Sequence, residues 1–345
     1  MLNFCTLFDS RYMSRGMAMY ESLKKHCNNF HLYIFAFDDI CYNFFKGNAF
    51  DHITIISLNE FEDQELLRIK PTRSKGEYCW TCTSSTILYV LNNYPVDNCT
   101  YIDADLYFFA SPQILIDEIG DDSILLTEHR YTPEYDQTKT SGKYCVQFMY
   151  FKKDARGMKA LQWWRERCIE WCYNRMEDGK FGDQKYLDDW TERFEGVHVL
   201  KNLGGGVAPW NMQQYTFYKE SNKIYGMEEA TQKKFQIIFF HFHDTYFIKK
   251  RLFAPPLYKK KDSSIIKYIL KVYISHIKEL RREYKDINLS EKYFTTKDLF
   301  KHYLIILRRP YLFKTELYTI WLSIKNNPKH KKQYKHVSFQ NWRID

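Results

Sequence analysis

Short apolar blocks separated by mixed stretches run through the first two thirds of the chain. LNFCTLF, from Leu2, and FHLYIFAFDD, from Phe30, read as strands. Between them, SRGMAMYESLKKH carries its apolar residues at helical spacing. DHITIISL reads as a third strand, and YCWTCTSSTILYVLNNYP as a helix that Pro95 stops. CTYIDADLYFF is the next strand, followed by SILLTEH and YCVQFMYFKKD. RGMKALQWWRERCIEWCYNRM reads as an amphipathic helix whose core face is Leu161, Trp164, Cys168, Trp171 and Cys172. HVLKNLGGGVAPWN is expected to be a loop, from its glycines and proline, and FQIIFFHFHDTYF a last strand. The alternation of strand and helix predicts an α/β fold with a mainly parallel sheet covered on both faces.

The pattern changes after FAPPLY (Phe253–Tyr258). SIIKYILKVYISHIKELRREY reads as a long basic helix, and residues 296–325 as one or two more. Residues 249–345 carry 24 Lys and Arg against 8 Asp and Glu, a net +16, while the rest of the chain is net −7 within a total of +9. A boundary near Ala254–Lys261 gives a domain over 1–254 and a basic α-helical region over 255–345. A chain of 345 residues is long enough for one large α/β domain with such an appendage. No apolar run approaches the roughly 20 residues that span a bilayer. MLNFCTLFDSRYMSRG enters a strand directly, so no signal peptide is expected and the cytoplasm is the expected location. Nine cysteines, an odd number scattered from Cys5 to Cys172, fit a reducing compartment. Cys79 and Cys82 have C-x-x-C spacing, but without a second such pair they read as reduced structural thiols.

Asp103 and Asp105 close the apolar run NCTYI and raise the first chemical question. Charged side chains are rare in buried strands unless something pairs with them. At the C-terminal end of a strand in an open α/β sheet they would lie at the edge where ligands bind. On an extended chain, residues one apart point the same way. Two carboxylates so placed repel unless a cation, a shared proton or a basic group relieves them. A hard divalent cation suits them and would bring a phosphorylated substrate. The alternative is a turn in which one acid caps a helix and the other is solvated.

Three further stretches accompany YIDADLYFF, namely FCTLFDSRYMSRGMAMYESL, GKFGDQKYLDDW and FFHFHDTYF. In this order the four, spanning about residues 1–250, resemble the GT-A glycosyltransferases, most closely the retaining family 8-like branch. The resemblance implies a Rossmann-like, mainly parallel mixed sheet flanked by helices. It implies that Leu7, Asp9 and Tyr12 face the nucleobase of a donor, Asp9 bonding to it and Tyr12 stacking on it, with Leu7 where the family usually has alanine. Asp103, Ala104 and Asp105 would be the D-x-D that binds Mn²⁺ or Mg²⁺ bridging the donor diphosphate. Asp183 would hold sugar hydroxyls, and Gln184 would lie near the anomeric carbon. The family's late motif, His-Phe-x-Gly-x-x-Lys, supplies the third metal ligand. Its His falls on His241 by the His-Phe order, with His243 as the other choice. Asp244 and Phe247 stand at the Gly and Lys positions, so Lys249 or Lys250 is the expected phosphate charge. The arginine that the family carries before the D-x-D falls on Trp80, leaving Lys70 and Arg73 as alternative diphosphate contacts. Taken singly, each stretch also has a structural reading: a helix cap beside Asp9 or at Asp183, and a buried strand histidine at His241.

Two rival classes share features with this chain. Haloacid-dehalogenase-type phosphatases also use D-x-D at a strand end, and GDQKYLD fits their acid motif. Their first motif wants Thr or Val where Tyr107 stands. A nucleic-acid-binding protein would explain the basic region, but no binding motif accompanies the charge. Basic helices with interleaved Ile, Tyr and Leu suit an anionic membrane surface at the inner face of the plasma membrane, or a helical cap on the catalytic domain. The expected partners are a nucleotide-sugar donor, UDP-linked, and a glycan or lipid-linked glycan acceptor of bacterial surface polysaccharide synthesis, with no nucleic acid.

Overall fold

The computed structural model describes residues 1–243, 245–248, 251–253, 264–285 and 287. The chain divides into two compact units, Met1–His243 with Lys260–Glu291, and Asp244–Lys259 with Lys292–Asp345. Asp244, Lys249, Lys250 and the helices expected over 296–325 lie outside the described residues. In the second unit a hairpin is described, the antiparallel pair Tyr246–Ile248 and Arg251–Phe253.

In the first unit the strands are β1 (Leu2–Phe8), β2 (Phe30–Ala36), β3 (Ile53–Ser57), β4 (Asn98–Ile102), β5 (Leu106–Phe108), β6 (Ile124–Glu128), β7 (Tyr144–Lys152), β8 (Val197–Val199), β9 (Gly205–Val207), β10 (Tyr215–Glu220), β11 (Lys223–Glu228), β12 (Lys234–Gln236) and β13 (Phe239–His241). The helices are α1 (Met13–His26), α2 (Asp39–Gly47), α3 (Leu58–Phe61), α4 (Gln64–Ile69), α5 (Lys75–Asn93), α6 (Gln113–Asp117), α7 (Thr138–Ser141), α8 (Ala155–Glu170), α9 (Trp190–Arg193) and α10 (Ser264–Glu283). A seven-stranded sheet has the order β3-β2-β1-β4-β7-β6-β8. It is parallel from β3 through β4 and between β6 and β8, and antiparallel where β7 meets β4 and β6. Every residue of β1 is buried, as a central strand covered on both faces requires. Helix α5 opens with a capping box, Ser74 with Glu77, and packs on α8, β1 and β4. Together they enclose a core that includes Ile87, Val90, Tyr101, Met149, Phe151 and Trp164.

Four expectations change. CTYIDADLYFF is two strands in different sheets, because the chain turns at Asp103–Asp105, where the Leu106 amide donates to the Asp103 carbonyl at 3.2 Å. FQIIFFHFHDTYF is likewise broken into short strands. Its middle piece, β13, is the centre of a second sheet of order β5-β13-β9. The glycine-rich stretch is only partly a loop, since Gly205–Val207 forms β9, parallel to β13. Its glycines let backbones meet: a Cβ on Gly204 would lie 1.9 Å from the Gln236 carbonyl oxygen, and Gly206 has φ +108°. Helix α8 ends at Glu170, so Trp171 and Cys172 reach the core from an extended segment whose Trp171 carbonyl accepts from the Tyr186 hydroxyl at 2.8 Å.

All nine cysteines are free thiols, Cys79 and Cys82 included. Among the described residues, no helix is long and apolar enough to cross a membrane.

Gly204→Ala should therefore cost about 3 kcal/mol or more of stability, because the clash is with backbone that cannot rotate away. Gly76→Ala, in the first turn of α5 with nothing within 4 Å, should be neutral or stabilising by up to about 1 kcal/mol. Thermal melts of the two variants check the pair. Equal melting temperatures would remove the steric account.

Candidate active site

Two hydrogen bonds fix the acidic turn, one to β7 and one to the late motif. The Asp103 amide donates to the Gln147 carbonyl of β7 at 3.1 Å, and the Phe242 amide donates to the Asp105 carbonyl at 2.9 Å. The second continues the antiparallel pairing of β13 with β5, in which His241 faces Leu106. As a result the His241 Nε2 lies 3.1 Å from Asp105 Oδ1 and 3.7 Å from Asp103 Oδ2. One ligand atom each from Asp105, His241 and His243 lies within 4.8 Å of the others, a group that can hold a metal ion. Asp105 and His241 are buried and His243 is exposed. Trp210 presents its ring to both imidazoles, at 5.3 Å and 5.6 Å between centroids.

The electrostatics follow from this crowding. Burial alone would raise both carboxyls. At Asp105 burial is outweighed by the charge and hydrogen bond of His241 together with the charges of His243 and Arg15, which bring it down to about 2. Asp103 is raised by burial and by the Asp105 charge, against the pull of His241 and a hydrogen bond from Tyr101. Burial lowers His241, but the Asp105 and Asp103 charges overcome it and hold the imidazole well above its ordinary value. The acidic turn thus has a cationic partner within the chain.

Gln147, fully buried in β7, completes the arrangement. Its Oε1 faces His241 Nδ1 at 2.7 Å. An amide oxygen only accepts, so Nδ1 carries the hydrogen and Nε2 is the nitrogen aimed at the carboxylates. That is the way a protein orients a metal-ligating imidazole. The mixed oxygen and imidazole donor set suits Mn²⁺ and, with fewer nitrogens engaged, Mg²⁺. The residues present fit such an ion.

Asp183 reaches the same region from the loop after α8. Its carbonyl accepts from Trp164 Nε1 at 2.8 Å, and the Thr83 hydroxyl of α5 bonds its carboxyl. Burial and the nearby Asp103 charge push the Asp183 carboxyl up to about 7. Gln184 follows it at the start of a single helical turn, partly buried and without a capping bond.

At the head of β1 and α1, Leu7 is buried in the sheet and Asp9 caps the turn Ser10–Tyr12. The Asp9 carboxylate bonds the Arg11 amide at 3.1 Å and the Arg11 guanidinium, so the cap reading of this stretch lands on Asp9 itself. Tyr12 is 40% exposed, with the Arg15 guanidinium 4.4 Å from its ring centroid. The charge of buried Arg15 also lowers the Asp105 carboxyl, which links the two halves of the site. Ala104 is buried between the two acids. Lys70 and Arg73 are engaged elsewhere. Lys70 pairs with Glu62 at 2.6 Å, and Arg73 is buried against Tyr173, donating to the Ile169 carbonyl at 3.1 Å. Lys249 lies outside the described residues.

Gln147, Arg15 and Trp210 do not stand out in the motif reading. Gln147 left a trace, a polar residue inside the apolar run YCVQFMY.

No family model matches the chain. It is 32% identical over 284 residues to the uncharacterized protein YfnD of Bacillus subtilis (strain 168), covering 80% of this chain and 88% of that protein. It is 31% identical over 247 residues to YfnF of the same organism, covering 69% and 80%. Among solved structures it is similar to the galactosyltransferase LgtC, with TM-score 0.40 and 13% identity over 60% of this chain and 76% of that one.

Two measurements probe the geometry. Gln147→Leu removes the acceptor that orients His241 and should weaken Mn²⁺ binding about tenfold, ~1.4 kcal/mol, in a titration followed by the magnetic resonance of free Mn²⁺. Unchanged affinity would mean that the amide does not orient the imidazole. Asp183 has a folded-state value above its unfolded one near 3.8. Its contribution to stability is therefore fully present below pH ~3.8 and lost as pH rises through about 7. Asp183→Asn removes that loss, so in metal-free protein it should raise the melting temperature at pH 8, with roughly 4 kcal/mol as a ceiling, and leave it unchanged at pH 3.5. A variant less stable than wild type at pH 8 would contradict the burial of a charged carboxylate.

Proposed function

The chain belongs to the family of Bacillus subtilis YfnD and YfnF, and from that premise we propose that it is a metal-dependent GT-A glycosyltransferase of the family 8-like branch. In this reading it moves a sugar from a UDP-linked donor to a glycan or lipid-linked glycan acceptor, with retention at the anomeric carbon. The observation that carries the proposal is the meeting of Asp103, Asp105, His241 and His243 where β4 ends, at the sheet edge that binds ligands in such folds. Asp105 and His241 would hold Mn²⁺ or Mg²⁺, with Asp103 and His243 beside them. When bound, the ion supplies Lewis-acid stabilisation of the departing nucleoside diphosphate.

The chain's own groups account for the rest. The exposed Tyr12 ring, backed by Arg15, offers a stiff face for a nucleobase, and Asp9 stands beside it. Arg15 is a cation that already acts on Asp105, and so is suited to the diphosphate, in place of the arginine that Trp80 replaces. Asp183, with its carboxyl up near 7, can accept from or donate to sugar hydroxyls at neutral pH. Gln184, next to it, is placed to present a weakly polar amide to the positive charge that grows at the anomeric carbon. The net +16 of residues 249–345 supports docking at the cytoplasmic face of a bacterial membrane that carries the acceptor.

Incubating the protein with UDP-sugars and Mn²⁺ tests this reading. Release of UDP, abolished by EDTA, is expected. Asp105→Ala should lower the rate by at least 100-fold, on the order of 3 kcal/mol, and should weaken UDP binding only when metal is present. Release of inorganic phosphate from phosphomonoesters in place of UDP would instead identify a phosphatase.

A further inference from the structure

We propose that α10 is a positioning helix for the metal-ligating segment, and that it acts through Tyr273 and His276. This inference rests on the reading that Asp105 and His241 hold a divalent cation.

The two ligand-bearing segments leave the site as Asp105-Leu106-Tyr107 and as His241-Phe242-His243. Neither is long, and both run directly under α10. Phe242, which separates the two histidines, is fully buried and stacks on Tyr273 with ring centroids 3.7 Å apart and planes 11° apart. Tyr107, two residues after Asp105, stands edge-on to both, at 6.3 Å from Phe242 and 5.7 Å from Tyr273. Its hydroxyl bonds His276 Nδ1 at 3.0 Å, and the other ring nitrogen of His276 faces Glu21 of α1 at 2.6 Å. One turn of α10 therefore grips both ligand segments, by stacking on one and by a hydrogen bond on the other. The polar chain Glu21–His276–Tyr107 fixes the rotation of that turn about the helix axis. Ile269, Ile277 and Leu280 on the same face are buried and fix its depth.

The geometric consequence is specific. His241 and His243 flank Phe242 and share the face opposite it, so a roll of the segment that moves the Phe242 ring carries both imidazoles relative to Asp105. Close packing at 3.7 Å leaves little room for that motion. Outer contacts that orient metal ligands commonly change metal affinity by about 10- to 100-fold. Here the outer contact comes from a helix in the basic C-terminal part of the sequence, far along the chain from the D-x-D. Tyr273 and His276 act on Phe242 and Tyr107, the neighbours of the ligand residues, so their role is positioning.

The test is Mn²⁺ binding to the full chain, followed by the magnetic resonance of free Mn²⁺, with thermal melts alongside. Tyr273→Leu should weaken Mn²⁺ about tenfold or more. Tyr273→Phe keeps the ring and should stay within about twofold of wild type. Leu91→Ala, in the core on α5, should lower the melting temperature without changing Mn²⁺ affinity, which separates positioning from general loss of stability. His276→Ala removes the polar link and the edge contact with the Tyr107 ring but leaves the stack of Phe242 on Tyr273; it should weaken Mn²⁺ by about threefold, and it decides the matter should Tyr273→Leu not fold. Wild-type affinity in His276→Ala together with wild-type affinity in a folded Tyr273→Leu overturns the proposal, as does wild-type affinity in His276→Ala when Tyr273→Leu is unfolded. A wild-type protein that binds no Mn²⁺ overturns the metal reading itself, a result distinct from equal binding by all variants.

Discussion

A buried carboxylate and a buried imidazole 3.1 Å apart, Asp105 and His241, set the terms for the whole site. Two acids at one strand end are unfavourable without a counter-charge, and this chain provides one from a segment more than a hundred residues away. The pairing of β13 with β5 delivers it, and the bond from the Phe242 amide to the Asp105 carbonyl fixes its register. A slip of one residue in that pairing would turn His241 away and leave Asp103 and Asp105 facing each other alone. The glycines at the start of β9 serve the same end, since Gly204 and Gly205 let the adjoining segments pack close enough for β13 to lie between β5 and β9.

The imidazole does two things. In metal-free protein its positive charge relieves the acids, which is why it binds its proton so firmly. With the hydrogen on Nδ1 bonded to Gln147, Nε2 is the position where, in the proposed site, a divalent cation would compete with the proton. Asp183, its carboxyl pushed up to about 7 by burial and by the Asp103 charge, belongs to the same balance, because any cation placed beside Asp103 favours its ionised form.

The large-scale fold was legible because burial on both faces leaves continuous apolar runs, as in β1, and because Pro95 marks the end of α5, whereas its start at the Ser74–Glu77 capping box was read late, at Tyr78. The breaks were not. Ile102 and Leu106 are apolar on either side of the turn at Asp103–Asp105, so composition hides it. The glycines near Gly204 read as a loop, whereas their use is close backbone approach, which only a folded chain reveals. At the site, the acids and the His-Phe pair were visible as motifs. The Arg11 guanidinium folding back onto Asp9, the burial that engages Arg73 against Tyr173, and the Thr83 hydroxyl on Asp183 are tertiary contacts with no local signature. Gln147 was visible as an oddity, but its partner was not.

The central claim is that one divalent cation binds between the D-x-D turn and the late histidines and there meets the diphosphate of a nucleotide. Anomalous diffraction from crystals grown with Mn²⁺ and UDP tests it most directly. The account predicts a single strong Mn²⁺ peak within coordination distance of Asp105 and His241, with diphosphate oxygens completing its shell. A peak elsewhere, or UDP bound at this edge of the sheet with no metal between it and Asp105, would contradict it.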